Sequence, residues 1–248
     1  MLTTPLQDSD LATLAKFDSP TIANVIELFE CRAYNAGYTN ETIRAVYPQL
    51  PPVVGYAATM TFRASQPAGR GEPFNKIGQV IEQYADAQRP LIAVIKDLDE
   101  PHVAATYGEI VVTCLKTFGF VGLMTDGAGR DYEQVQRLEF PCWTSSMIVS
   151  HGYNHLLDLN IPVLLGGLSL EPKDLLHADG NGIIHIPLPI ASAVAELCEP
   201  FVAAEEVILQ YTRDPGLTMA GLQEAIDKKN ELVAGLMKQA KKMIPESW

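Results

Sequence analysis

The segment Gly119-Phe-Val-Gly-Leu-Met-Thr-Asp-Gly-Ala-Gly-Arg-Asp131 changes character halfway along. Its first part, Phe120–Met124, is a short continuous apolar run, the pattern of a strand buried on both faces. Its second part, Asp126-Gly-Ala-Gly-Arg-Asp131, is a glycine-rich loop, and a short helix is expected over Tyr132–Leu138. Open α/β sheets bind ligands beyond the carboxyl ends of their strands, where this loop falls. Gly127 and Gly129 allow a ligand to approach the backbone closely. Arg130 offers a planar fork for a carboxylate, and Asp131 a hard oxygen for a divalent cation. The same residues admit plainer roles. Asp131 also reads as the N-cap of the next helix, with Gln134 completing a capping box, and Arg130 as a surface residue. A dinucleotide fingerprint is excluded, because the third glycine of G-x-G-x-x-G falls on Tyr132.

Outward from this loop, the pattern alternates. Leu91–Ile95 is a second apolar run, and Val53–Phe62 a strand with small residues on one face and larger ones on the other. Helices are expected over Ile77–Gln88, after the glycine-rich stretch Gly69–Pro73, and over Tyr107–Thr117. Residues 8–30 carry helical spacing, with Ser19-Pro20 capping a second helix. Pro48–Pro52 reads as an irregular connection. Further β pieces are expected at Cys142–Ile148, Val163–Leu168, Asp174–Ala178 and Ile183–Ile186. The helical stretches Ala191–Tyr211 and Leu222–Met243 follow, with Lys238, Lys241 and Lys242 suiting the dipole of the last turns. That last helix packs either on a neighbouring subunit or on its own domain. Mixed α and β layers around one core are implied: a single domain over 1–248, its core about 17–211 and a helical extension about 212–248.

With 30 acidic against 18 basic residues, the net charge is −12. Such a surface repels phosphate backbones and anionic lipid, so neither nucleic acid nor a membrane is an expected partner. An anionic metabolite would need a local cation, which gives individual arginines weight. Cys31, Cys114, Cys142 and Cys198 are scattered and form no C-x-x-C pair, as in reduced, packed thiols. Met1–Asp10 lacks the charged and apolar regions of a secretory signal, and no apolar stretch reaches a membrane span. A cytoplasmic location is expected.

Other polar groups also suggest chemistry. Thr106-Tyr-Gly-Glu109 forms a capping box at a helix start, whose remaining amides around Ile110 and Val111 can hold a carboxylate. Asp97-Leu-Asp99-Glu100 contains a D-x-D pattern but reads as a solvated turn. His151 and His155 would share a face on a helix, without a third zinc ligand. His177, Asp179 and His185 lie in a β-rich stretch. No nucleophile elbow or catalytic cysteine pattern occurs.

Three blocks in order carry a resemblance: Ala105-Thr-Tyr-Gly-Glu109, Gly119–Asp131, and Glu171-Pro-Lys-Asp-Leu-Leu-His-Ala-Asp-Gly-Asn-Gly-Ile-Ile-His-Ile-Pro187. Together the chain resembles the family of 4-hydroxy-4-methyl-2-oxoglutarate aldolase and the regulator of ribonuclease activity A, from about Phe17 to Tyr211. The resemblance implies an α/β swivelling β/β/α domain, here with additional N- and C-terminal helices. It also implies assembly as a homotrimer or homohexamer with sites between subunits. Arg130 would then bind the substrate carbonyl and carboxylate, and Asp131 would ligate Mg²⁺ or Mn²⁺ directly, with waters filling the sphere. Glu109 would orient one of those waters. The backbone of Gly108, Ile110 and Val111 would hold the pyruvate-like end, and Glu205 or Glu206 would reach a neighbour's site. The family's Pro-Gly-Asp turn is Pro172-Lys173-Asp174 here, so its turn geometry is expected to differ.

The implied reaction is metal-dependent retro-aldol cleavage of a 4-hydroxy-2-oxo acid to pyruvate, with oxaloacetate decarboxylation through the same enolate. The competing reading from the resemblance is a non-catalytic regulator that binds a ribonuclease or another protein.

Overall fold

The computed structural model describes residues 6–68 and 77–245; the expected glycine-rich loop Gly69–Pro73 lies outside them. In chain order the elements are helices α1 (Asp8–Leu14) and α2 (Ser19–Glu27), strands β1 (Arg44–Ala45) and β2 (Val53–Arg63), helix α3 (Ile77–Gln83), strands β3 (Leu91–Asp97) and β4 (Ala105–Tyr107), helix α4 (Glu109–Thr117), strands β5 (Phe120–Thr125) and β6 (Ala128–Gly129), and helix α5 (Tyr132–Arg137). Strands β7 (Cys142–Thr144), β8 (Ser146–Met147), β9 (His155–Leu159), β10 (Val163–Leu165), β11 (Leu168–Leu170), β12 (Leu175–Asp179) and β13 (Gly182–Ile186) follow. A 3₁₀ turn, Leu188–Ile190, leads to helices α6 (Ala191–Tyr211) and α7 (Met219–Met243). Contacts divide these into two units, Asn35–His185 and the two chain ends, through Tyr34 and from Ile186.

The middle unit is built on a mixed sheet ordered β1-β7-β5-β3-β2-β12-β13. Strands β2, β3, β5 and β7 run parallel. The long strand β2 pairs with β3 along one edge and is shared along the other. Its first half takes β12 (Tyr56 opposite Leu175) and its second half β9 (Phe62 opposite Leu156), both antiparallel. Nearly every residue of β2, β3 and β5 is buried, as continuous apolar runs require when both faces are covered. One face packs Ala57, Ile92, Val94, Met124 and Trp143 against the β10–β11 hairpin, and Trp143 Nε1 donates to the Asp179 carbonyl at 2.8 Å. On the other face Met60 and Ile95 are register partners; α4 belongs to this side too, burying Val112 and Leu115. A separate parallel ribbon, β4-β6-β8, lies outside the main sheet.

Several short elements differ from expectation. Cys142–Ile148 is two strands in two sheets, because Thr144 Oγ1 donates to the Gly127 carbonyl at 2.6 Å and the chain turns there. Val163–Leu168 spans a hairpin turn, with Val163–Leu165 its first arm and Leu168 the start of the second. Gly166 and Gly167 both take positive φ (52° and 80°), the backbone of a tight two-residue turn. His151 and His155 lie on a loop and strand β9, not on a helix, and His155 Nε2 is 2.9 Å from the Gln66 carbonyl.

In the other unit, the N-cap of α2 is Asp18, one residue before the expected Ser19, and its Oδ1 accepts from Thr21 N–H at 2.8 Å. Ile22, Val25 and Ile26 of α2 and Val194, Leu197 and Phe201 of α6 supply the buried side chains. Lys241 of α7 pairs with Glu30 at 2.6 Å. None of the four cysteines is disulfide-bonded. Among the described residues no helix is long and apolar enough to cross a membrane.

The Pro172-Lys173-Asp174 turn preceding β12 has a measurable cost. Lys173 sits at φ 74°, where a Cβ is unfavourable by about 1 kcal/mol. Its N–H donates to the Ala57 carbonyl at 2.9 Å, which holds it there. Lys173→Gly is expected to raise stability by about 0.5–1 kcal/mol in urea denaturation; unchanged or lower stability would show that the turn is not strained.

Candidate active site

Three loop regions meet at the carboxyl ends of the parallel strands. Asp99 binds the first to the second: its Oδ2 accepts from Ala64 and Ser65 N–H at 2.6 and 2.9 Å. Asp126 binds the second to the third, pairing with Lys96 and accepting from Asp97 N–H at 2.9 Å. The Asp97-Leu-Asp99 segment is therefore no solvated turn. Asp97 and Asp99 are buried, and both carboxylates hold backbone amides in place. Burial raises the Asp97 carboxyl above its ordinary range, against the lowering effect of the Asp99 N–H bond and of His102, 3.3 Å away.

Strand β4 then pairs in parallel with β6, so Tyr107 and Gly108 come beside Gly129, Arg130 and Asp131. The Tyr107 carbonyl accepts from Arg130 N–H at 3.1 Å. Each loop glycine removes a Cβ that would collide: at Gly127 with Thr106 and Asp97, at Gly129 with the Tyr107 ring. At Gly108 a Cβ would stand 2.5 Å from Asp131 Oδ2 and 3.0 Å from the Arg130 side chain.

The expected Thr106–Glu109 capping box is absent. Thr106 belongs to β4, Gly108 is the N-cap of α4, and the helix's first amide is satisfied from across the site, where Glu109 N–H donates to Asp131 Oδ2 at 2.9 Å. Asp131 does occupy the N-cap position of α5, but its side chain makes no cap bond there, so the box with Gln134 is also absent. Its backbone is left-handed (φ 59°, ψ 46°), which turns the carboxylate away from α5 and towards α4. A non-glycine residue held this way is the kind of local strain that collects at functional sites. Arg130 Nε lies 3.8 Å from Asp131 Oδ2.

Arg130, Gly108, Ile110 and Val111 all line one cavity of about 470 Å³, together with Thr106, Tyr107 and His151. The first-turn amides of α4 at Ile110 and Val111 have no acceptor one turn back in the helix and can serve an anion. On its other side Arg130 lines a second, more open depression with Asp131, Met147 and Val149. The six site residues read from the sequence therefore come together. Thr106 and Tyr107 as cavity walls, and the loop from His151 to Asn154, were not singled out for this role. Of the two distal glutamates, Glu206 pairs with Arg213 at 2.8 Å within its own unit.

The carboxylates here are few for a divalent cation. Among the described residues no group of three His, Cys, Asp or Glu side chains converges. Asp131 presents a partly exposed carboxylate with one oxygen engaged by an amide, and Glu109 is exposed nearby. One or two carboxylates with water in the remaining positions suit Mg²⁺, which dehydrates reluctantly. The residues fit a weakly held, mostly hydrated ion.

The family model RraA-like (Aldolase/RraA) matches residues 22–185. The chain belongs to this family. Among curated relatives of this RraA-like protein, one from Halalkalibacterium halodurans is named "Putative 4-hydroxy-4-methyl-2-oxoglutarate aldolase". It is 32% identical over 84 residues, 34% of this chain and 40% of the relative. An uncharacterized protein of Methanocaldococcus jannaschii is 26% identical over 114 residues, 46% of this chain and 55% of its own length. The chain thus spans about half the length of the curated relatives it matches. Solved structures carry the fold further. An uncharacterized protein from Pseudomonas syringae aligns with TM-score 0.71 at 19% identity, covering 92% of this chain and 97% of that one. Streptomyces coelicolor RraAS2, described as an unusual member of the RNase ES inhibitor RraA family, aligns with TM-score 0.65 at 21% identity, covering 82% and 96%. The mixed α/β architecture of this RraA-like chain is that of its solved relatives.

The Asp131–Glu109 bond generates a stability test separable from activity. Asp131→Ala should cost about 1 kcal/mol by urea denaturation, through loss of an amide acceptor at a helix start. Asp131→Asn retains an acceptor and tolerates left-handed backbone, and should stay within about 0.5 kcal/mol of the parent. Equal stability of all three proteins would show that the bond contributes nothing.

Proposed function

We propose that the chain is a divalent-metal-dependent lyase that cleaves a 4-hydroxy-2-oxo acid to pyruvate, with oxaloacetate decarboxylation as a side activity. The observation carrying this reading is the convergence of Arg130 and the first-turn amides of α4 on one cavity, with the Asp131 carboxylate at its edge. The names of the relatives point the same way.

In this reading Ile110 and Val111 N–H groups hold the substrate carboxylate, as helix N-termini hold anions. Arg130 lies across the 2-oxo group and stabilises the charge that develops there as the bond between carbons 3 and 4 breaks. Asp131 would hold a divalent cation, which would supply Lewis-acid charge to the developing enolate. Glu109 orients the water that takes the proton from the 4-hydroxyl and, once the bond has broken, returns one to carbon 3. Oxaloacetate loses carbon dioxide through an equivalent charge distribution, so one arrangement serves both reactions.

A pyruvate-release assay over several 4-hydroxy-2-oxo acids and oxaloacetate tests the reading. EDTA should abolish activity and Mg²⁺ or Mn²⁺ restore it. Arg130→Ala should lower turnover by about 10²–10³ while metal binding persists, whereas Asp131→Asn should lose metal binding. Full activity after exhaustive chelation would overturn the metal requirement. Absence of pyruvate from every substrate would favour the second reading, a protein-binding regulator, for which exposed Met147 and Val149 beside Arg130 and Asp131 supply an apolar contact surface.

The same exposed side chains support assembly as a homotrimer or homohexamer, since a cyclic interface presents each copy of the site with an identical neighbour. Light scattering at several protein concentrations checks this, and a stable, fully active monomer would remove it.

A further inference from the structure

The cavity changes character away from Arg130. Met60 and Ile95, register partners on β2 and β3, are 1% and 2% exposed. Leu115 lies one helical turn beyond Val111, about 6 Å along the α4 axis at 1.5 Å per residue, and is equally buried. Leu156 of β9 completes an aliphatic wall. The polar lining side chains His151 and Asn154 are exposed, and His151 Nδ1 is 2.8 Å from the adjacent Gly152 carbonyl. Among the described lining residues Arg130 is the sole arginine or lysine.

One end of the cavity therefore suits one carboxylate, and the described walls beyond it offer no charge to receive a second. A second carboxylate placed against Met60, Ile95, Leu115 and Leu156 would surrender its hydration with no cation among the described walls in return. An alkyl or aryl group there removes apolar surface from water on both sides. The distance fits as well: the substituent on carbon 4 begins about one helical turn from a carboxylate held at Ile110 and Val111.

We propose that this site takes 2-oxo acids whose carbon 4 bears an apolar group instead of a second carboxylate. The proposal rests on the lyase reading for the position of the oxo-acid end. It separates this chain's ligand from 4-hydroxy-4-methyl-2-oxoglutarate, which appears in the names of relatives and carries a carboxylate at both ends.

Calorimetric titration of the whole protein with Mg²⁺ present compares two acids that lack the 4-hydroxyl and cannot be cleaved, 4-methyl-2-oxopentanoate and 2-oxoglutarate. The first should bind at least about tenfold more tightly, the discrimination that small differences in apolar fit provide. Equal affinity, tighter binding of 2-oxoglutarate, or binding of neither overturns the proposal. Turnover of 4-hydroxy-2-oxoheptanoate and 4-hydroxy-4-methyl-2-oxoglutarate is measured alongside. Pyruvate from neither, with the binding preference intact, removes the lyase reading and leaves the ligand preference standing. Pyruvate from both, with the preference reversed, does the opposite.

Discussion

Adjacent parallel strands cannot be joined by a hairpin; each must leave the sheet at its carboxyl end and return by a crossover. In β2, β3 and β5 this constraint delivers three loops to one edge, and with them backbone amides without sheet partners. Carboxylates answer that demand. Asp99 takes the amides of Ala64 and Ser65, Asp126 that of Asp97, and Asp131 that of Glu109. In a chain of net charge −12 these acids are structural connectors as much as surface charge. Arg130 stands out among them because the cavity it lines has little other positive charge among its described walls.

The apolar runs at Leu91–Ile95 and Phe120–Met124 were readable because burial on both faces leaves an unbroken hydrophobic signature. The loop between Asp126 and Asp131 was readable from its glycines and its adjacent charges. The direction of the Asp131 side chain was not. Residue spacing made Asp131 a cap for the helix that follows it, whereas its left-handed backbone commits the carboxylate to a helix 22 residues earlier. A hydrogen bond across that separation leaves no periodic trace. Asp97 and Asp99 misled for a related reason, since polar clusters usually mark solvated loops, and nothing local reveals that unpaired amides of Ala64 and Ser65 await them. Very short strands such as β4, β6 and β8 are also invisible to pattern reading, because two or three residues cannot display alternation. Yet the pairing of β4 with β6 is what assembles the site.

Absent atoms shape this site as much as present ones. Gly108, Gly127 and Gly129 each stand where a methyl group would strike a neighbouring loop, and none of the three has a positive φ to account for glycine otherwise. Close approach is the common reason for all three. The sequence signature of the loop is therefore partly a record of how tightly β4, β6 and α4 are stacked.

Helix α7 belongs to a different regime. Of its 25 residues only Ala225 and Ala240 are buried, and its capping contact is a single bond from Gly221 N–H to Thr218 at 3.0 Å. Its other residues are exposed or half-buried, so little apolar contact opposes its separation. In native-state amide exchange this chain taken alone should thus show a hierarchy: the amides of β2 and β3 exchange only with global unfolding, while those of α7 exchange through a local opening of much smaller free energy.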